Sequence, residues 1–345
     1  MFSSPAVAND AVYVGSPAGN LYALDTTTGA KLWSYDIGAA YAESSPAVAN
    51  GVVYVGWDDG NVYALNAKTG ALLWRYFTGD TVWSSPAVAN GVVYVGSNDH
   101  KVYALDADTG ALLWTYATGL YVESTPAVAN GVVYVSSDDN SVYALNASTG
   151  ALLWSYTTGS FLDSSPAVAD GVVFVGSADR SVYALNASTG AKLWSYRTGA
   201  LVLSSPAVAN GVVYVGSYDN SVYALNAETG AKLWSYTNGS NVYSSPAVAN
   251  GVVYVGSEDG SVYALNASTG AELWSYTTGF MVFSSPAVAN GVVYVGSFDD
   301  NVYAFGLPDG GPTEQAAASQ RPDPKTLSPD FNLKPSKPAA NTVRP

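Results

Sequence analysis

The chain has 345 residues, no cysteine, a single histidine and a formal net charge of −14. That charge argues against nucleic acid or an anionic membrane as partner, since either would repel it at long range. The absence of cysteine removes disulfides, thiolate chemistry and cysteine-based zinc sites. No stretch reaches the roughly 18 to 20 apolar residues of a membrane span, so membrane insertion is not expected, and the first repeat begins at Phe2 with no signal peptide ahead of it in this numbering.

Ser3, Ser44, Ser84, Ser124, Ser164, Ser204, Ser244 and Ser284 open eight copies of one unit of about forty residues. A period of this size means a solenoid or a propeller, and it overrides the domain count that length alone would suggest. The copy at 84–123 reads as four strands. Strand A runs from Ser84 to Asn90 and turns through Asn90-Gly91, a two-residue hairpin that needs positive φ. Strand B is Val92 to Gly96. A polar loop, Ser97 to Lys101, leads into strand C, Val102 to Leu105, and Asp106 to Gly110 then turns the chain into strand D, Ala111 to Tyr116. All four are short, rich in β-branched and aromatic residues, and bounded by Gly, Asn, Asp or Ser. Their apolar runs are nearly continuous, as expected of a sheet covered on both faces.

The segment Ala23-x-Asp25-x-x-Thr28-Gly29-x-x-x-Trp33 recurs through Trp74, Trp114, Trp154, Trp194, Trp234 and Trp274. It resembles the tryptophan-docking motif of the quinoprotein (PQQ-like) β-propeller superfamily, and among those proteins the chain is similar to the non-enzymatic branch of outer-membrane assembly scaffolds. The resemblance implies an all-β fold, an eight-bladed β-propeller of four-stranded antiparallel blades over residues 1–305, with each Trp packed between blades. It also favours an extracytoplasmic or cell-surface setting. Dehydrogenases of that superfamily hold a quinone and calcium with singular residues inside the funnel. Here the inner strands repeat Ser, Pro, Ala and Val around the ring, which offers no unique acid, base or metal cage. No cofactor, metal or catalytic residue is expected. His100 reads as a solvated loop residue, and the Asp at 59, 99, 139, 179, 219, 259 and 299 as a cap of its own turn.

The copies differ mainly in two connections, D-A and B-C. Strand parity places both at the same end of the ring, opposite the A-B and C-D turns. The candidate partner-binding residues on that face are Tyr41, Glu43, Trp57, Asp58, Trp83, Tyr121, Glu123, Phe161, Asp163, Tyr218, Tyr243, Phe280, Phe283 and Phe298. Asp138 and Glu258 lie among them. Loops drift readily after duplication, but drift on a wetted surface favours polar residues, as the series Lys68, Asp108, Ser148, Glu228 on the opposite face illustrates. Exposed aromatics instead mark interfaces.

The eighth copy ends at Asn301-Val302-Tyr303-Ala304-Phe305 and continues with Gly306-Leu307-Pro308, without the Thr-Gly and Trp of a D strand. Residues 306–345 read as a Pro-rich extended tail or linker. Its apolar island carries Leu327, Phe331 and Leu333, which could dock on the bare edge of the chain's own ring or on a neighbouring copy. The sequence thus predicts a non-enzymatic binding module for a protein or glycan ligand. A second reading is a structural subunit of a surface or filamentous assembly, self-assembling through the open edge and tail. A third is a quinone-dependent dehydrogenase.

Overall fold

The computed structural model describes residues 3–38, 43–306 and 325–327; Tyr41, Phe331 and Leu333 lie outside them. Among the described residues, 32 strands form eight four-stranded sheets and there is no helix. Each sheet is an antiparallel meander. In blade 3 strands A to D are Ala87–Ala89, Val92–Ser97, Lys101–Asp106 and Leu112–Ala117. Both residues of the hairpin Asn90-Gly91 have positive φ, 51° and 77°, the geometry that suits the twist of the flanking strands.

Strand A is shorter than the run from Ser84 suggests. Pro86 brings no N–H to a ladder, and the serines before it bond elsewhere. Ser84 Oγ accepts from Gly96 N–H at 3.0 Å and donates to the Ser124 carbonyl of the next blade at 2.8 Å. Around the axis, the N–H of Ser45 donates to Ser85 Oγ, that of Thr125 to Ser165 Oγ and that of Ser245 to Ser285 Oγ, at 2.8 to 2.9 Å. The repeated Ser-Ser-Pro is therefore a belt that ties inner strands of successive blades together.

Strands B and C carry the core, because both faces of each sheet are covered by neighbouring blades; Val93, Val95, Val102, Ala104 and Leu105 are all fully buried. Trp114 in strand D reaches sideways to donate its Nε1–H to the Ala147 carbonyl of blade 4 at 2.9 Å, and the Tyr94 hydroxyl donates to the same oxygen at 3.1 Å. The Trp bond recurs from Trp33, Trp74, Trp154, Trp194 and Trp234. Trp274 packs instead against Phe305 at a tilt, with ring centres 5.2 Å apart.

The missing outer strand of blade 8 is supplied from the tail of the same chain. Lys325–Leu327 pairs antiparallel with Val302–Gly306, in the register Val302↔Leu327, Tyr303↔Thr326 and Ala304↔Lys325. The edge that the repeat pattern leaves bare is thus covered over three residues, against six in the outer strand of blade 3.

Candidate functional site

The D-A and B-C connections meet at one end of the ring, as strand parity requires. The Asn98 N–H donates to the Thr81 carbonyl at 2.9 Å, and the Phe298 N–H to that of Met281 at 2.9 Å. Side chains add to this: Trp83 Nε1–H donates to Asp58 Oδ1 at 2.8 Å, and Asn241 Nδ2 to Glu258 Oε2 at 3.0 Å. The last residue of each D-A connection turns inward, so the mouth of the axial funnel is lined in ring order by Glu43, Trp83, Glu123, Asp163, Leu203, Tyr243 and Phe283, above a floor of serines.

These side chains divide the mouth into two arcs. On one side Glu43, Glu123 and Asp163 face the axis, with Trp83 between the first two. On the other, Tyr218, Tyr243, Phe283 and Phe298 form a chain of ring contacts, with successive centres 6.4, 5.7 and 5.0 Å apart. Farther out, Tyr121, Phe161 and Phe280 are exposed by 43, 37 and 53%. His100 lies edge-on to Tyr121, ring centres 5.3 Å apart, and is not simply a solvated loop residue.

Trp57 does not belong to this surface. It is fully buried in the cluster between blades 1 and 2, with Tyr13, Val55 and Tyr63, and Ile37 packs against the same cluster. Its counterparts Ser97, Ser177 and Ser297 are buried too, bonded to the hydroxyls of Thr78, Thr158 and Thr278. In this one interface an apolar Ile–Trp pair takes the place of a Thr–Ser hydrogen bond.

The acidic arc is electrostatically loaded. Glu123, Asp138 and Asp163, from three connections, bring carboxylate oxygens within 4.8 Å of one another, and Asp138 Oδ1 is buried without a hydrogen-bond partner. Burial, followed by the charges of Asp163, Asp138 and Glu43, pushes Glu123 up to about 8. Burial, with Asp58 and Asp163, pushes Glu43 up to about 7. Burial and Asp138 raise Asp163 to about 6. Burial also raises Asp58, against the opposing pull of the Trp83 N–H. The mouth therefore holds protons near neutrality, where surface carboxylates do not.

The repeated loop aspartates are engaged locally. Asp139 accepts from the Tyr143 hydroxyl at 2.6 Å, Gly119 N–H at 2.6 Å and Ser141 N–H at 3.0 Å. These aspartates cap their own turns, as their place in the repeat predicts, and Asp139 also holds the preceding blade through Gly119; the carboxylates that converge come from the varying positions. The pocket at the mouth is open to solvent and has a volume of about 130 Å³, below the roughly 300–1,000 Å³ of sites for drug-sized ligands.

The closed ring and its Trp-docked sheets define an eight-bladed β-propeller built from one repeated unit. The chain belongs to the PQQ-repeat β-propeller superfamily and to the family described as "Beta-alanine-activating enzyme, beta-propeller", whose model matches residues 131–319. The family described as "Outer membrane protein assembly factor BamB" matches residues 2–85 and 77–161. Among solved structures, BamB from Moraxella catarrhalis is 22% identical with a TM-score of 0.79, over 89% of this chain and 96% of that one. The computationally designed Ika8 protein is 21% identical with a TM-score of 0.80, over 89% and 97%. A europium-containing methanol dehydrogenase is 17% identical with a TM-score of 0.72, over 88% and 81%. At these identities the likeness is one of fold. No curated protein matches the chain.

Proposed function

We propose that this propeller is a non-enzymatic binding scaffold that takes a protein partner on the face built from its D-A and B-C connections. One observation carries the reading: the varying residues of near-identical repeats meet at the funnel mouth and sort into an acidic arc and an aromatic arc. A segment bearing Lys or Arg beside an apolar side chain would match both, the cation replacing the protons held by Glu43, Glu123 and Asp163. A neutral glycan could stack on the aromatics but would leave the acids unmatched. The family match to an outer membrane protein assembly factor supports a scaffold role. The dehydrogenase reading has only a small open pocket at the mouth to support it. The assembly reading would require another copy to displace Lys325–Leu327 from strand C of blade 8.

The test is selection from a displayed random-peptide library and from a glycan array. We expect the propeller to enrich basic-aromatic peptides, and a variant with Tyr121, Phe161 and Phe280 changed to Ser to lose that enrichment. A control with Lys68, Asp108 and Glu228 changed to Ser, on the opposite face, should keep it. Equal enrichment by all three proteins would refute the reading, and enrichment of glycans alone would transfer it to sugars.

A further inference from the structure

At the opposite end of the ring, between blades 5 and 6, lies a cavity of about 380 Å³ lined by Val172, Phe174, Val208 and Ala227, with Asp170 and Glu228 at its rim. Its volume falls within the range of small-molecule sites, about 300–1,000 Å³. Two departures from otherwise constant repeat positions coincide here. Phe174 stands where the other seven copies have Tyr, and Asp170 where they have Asn. Glu228, from the next blade, adds a second exposed carboxylate.

The change at 174 alters one acceptor. At five other interfaces the Ala carbonyl of the C-D turn accepts both a Trp Nε1–H and a Tyr hydroxyl, as Ala187 does from Trp154 at 2.9 Å and Tyr134 at 3.1 Å. Phe174 keeps the ring in place, with its centre 5.8 Å from Trp194 as in the Tyr–Trp pairs, but it has no hydroxyl. The Ala227 carbonyl accepts from Trp194 at 2.9 Å without the Tyr hydroxyl that the other five carry, and Ala227 lines the cavity. Ala227 is also half-buried, whereas Ala67, Ala107, Ala147, Ala187 and Ala267 are buried. An apolar floor, an open carbonyl acceptor and two carboxylates at the rim together form a recognition pattern.

We propose that this cavity binds a small organic ammonium ion carried on a compact apolar body. An N–H of the ligand donates to the Ala227 carbonyl, the positive charge faces Asp170 and Glu228, and the body lies against Phe174, Val172 and Val208. This site is independent of the partner face and does not rest on the reading given for it. Titration calorimetry with benzylamine, and with benzyl alcohol as the uncharged control, tests it. We expect one saturable benzylamine site and no comparable binding of the alcohol. Phe174→Tyr places a hydroxyl on the carbonyl and should weaken benzylamine by roughly tenfold or more. Asp170→Asn with Glu228→Ser should weaken it similarly and reduce its salt dependence. Each substitution restores a residue that sister copies hold at that position, so folding is retained. Unchanged affinity in either variant, equal binding of benzyl alcohol, or no saturable site in the wild type would overturn the proposal.

Discussion

Ser285 of the last blade donates its backbone N–H to Oγ of Ser4 in the first, at 2.9 Å across 281 residues of chain. The contact repeats the one between Ser245 and Ser285 at 2.9 Å, so the ring closes with the chemistry that joins its interior blades. Ser4→Ala should leave the Ser285 N–H unpaired and cost about 1–3 kcal/mol. Ser205→Ala does the same to the Ser165 N–H within the ring. Urea unfolding of the two variants should give similar losses. A negligible loss for Ser4→Ala alone would mean that the closure carries less of the stability than the other interfaces.

Ile37 and Trp57 should behave as a coupled pair. Trp57→Ser removes a buried indole and should cost about 3–5 kcal/mol. Ile37→Thr alone sets a hydroxyl against Trp57 and should cost about 1–3 kcal/mol. Together the two changes recreate the Thr–Ser hydrogen bond seen between Thr78 and Ser97, so the double variant should lose less than the sum of the singles. Strict additivity in a double-mutant cycle would contradict the pairing.

Gly150 and Gly131 have nearly the same φ, 72° and 76°, but different surroundings. A Cβ on Gly150 would meet the Trp114 ring at 2.7 Å, while one on Gly131 would meet nothing within 4 Å. Gly131→Ala should cost only the left-handed backbone term, about 1–2 kcal/mol. Gly150→Ala adds overpacking of about 1–3 kcal/mol and should weaken the docking of Trp114. The difference between the two denaturation midpoints measures that docking directly.

The fold was legible because a constant forty-residue pattern carries its own turn and docking signals: Asn90-Gly91 demands a hairpin, and Gly150 leaves room for the ring of Trp114. Strand parity likewise placed the varying connections at one end. What sequence could not supply was side-chain direction. Trp57 follows the last residue of strand B in blade 2 and looks like a loop aromatic, yet it occupies a position that is Ser in every other copy and therefore belongs to the buried pattern. The division into arcs was hidden for a related reason. It depends on which D-A residue turns toward the axis, a matter of backbone geometry that composition does not encode.

The tail strand should protect blade 8. Truncation after Gly306 would leave Val302–Gly306 as an unpaired edge, so amide exchange at Tyr303 and its neighbours should accelerate by about tenfold or more. Exchange in strand C of blade 5, Ser181–Asn186, should not change. The exposed edge should also increase self-association, read by light scattering. If blade 8 exchanges equally with and without the tail, Lys325–Leu327 does not guard it in solution.

Glu123, Glu43 and Asp163 make stability depend on pH in a direction that can be worked out. Their folded values, about 8, 7 and 6, lie above those of an unfolded chain, so the unfolded state releases its protons first as pH rises. Their contribution is fully present below about pH 4 and is lost progressively up to about pH 8. Asp25 and Asp106, held low chiefly by the hydroxyls of Thr28 and Thr109, act below that window and with the opposite sign. The thermal midpoint should therefore fall between about pH 5 and about pH 8. Glu123→Gln, which mimics the protonated acid, should flatten the decline by removing its largest single part, while Glu43 and Asp163, which titrate with Glu123 still protonated, keep theirs. A midpoint that rises over this range, or a decline identical in Glu123→Gln, would show that the mouth does not hold its protons.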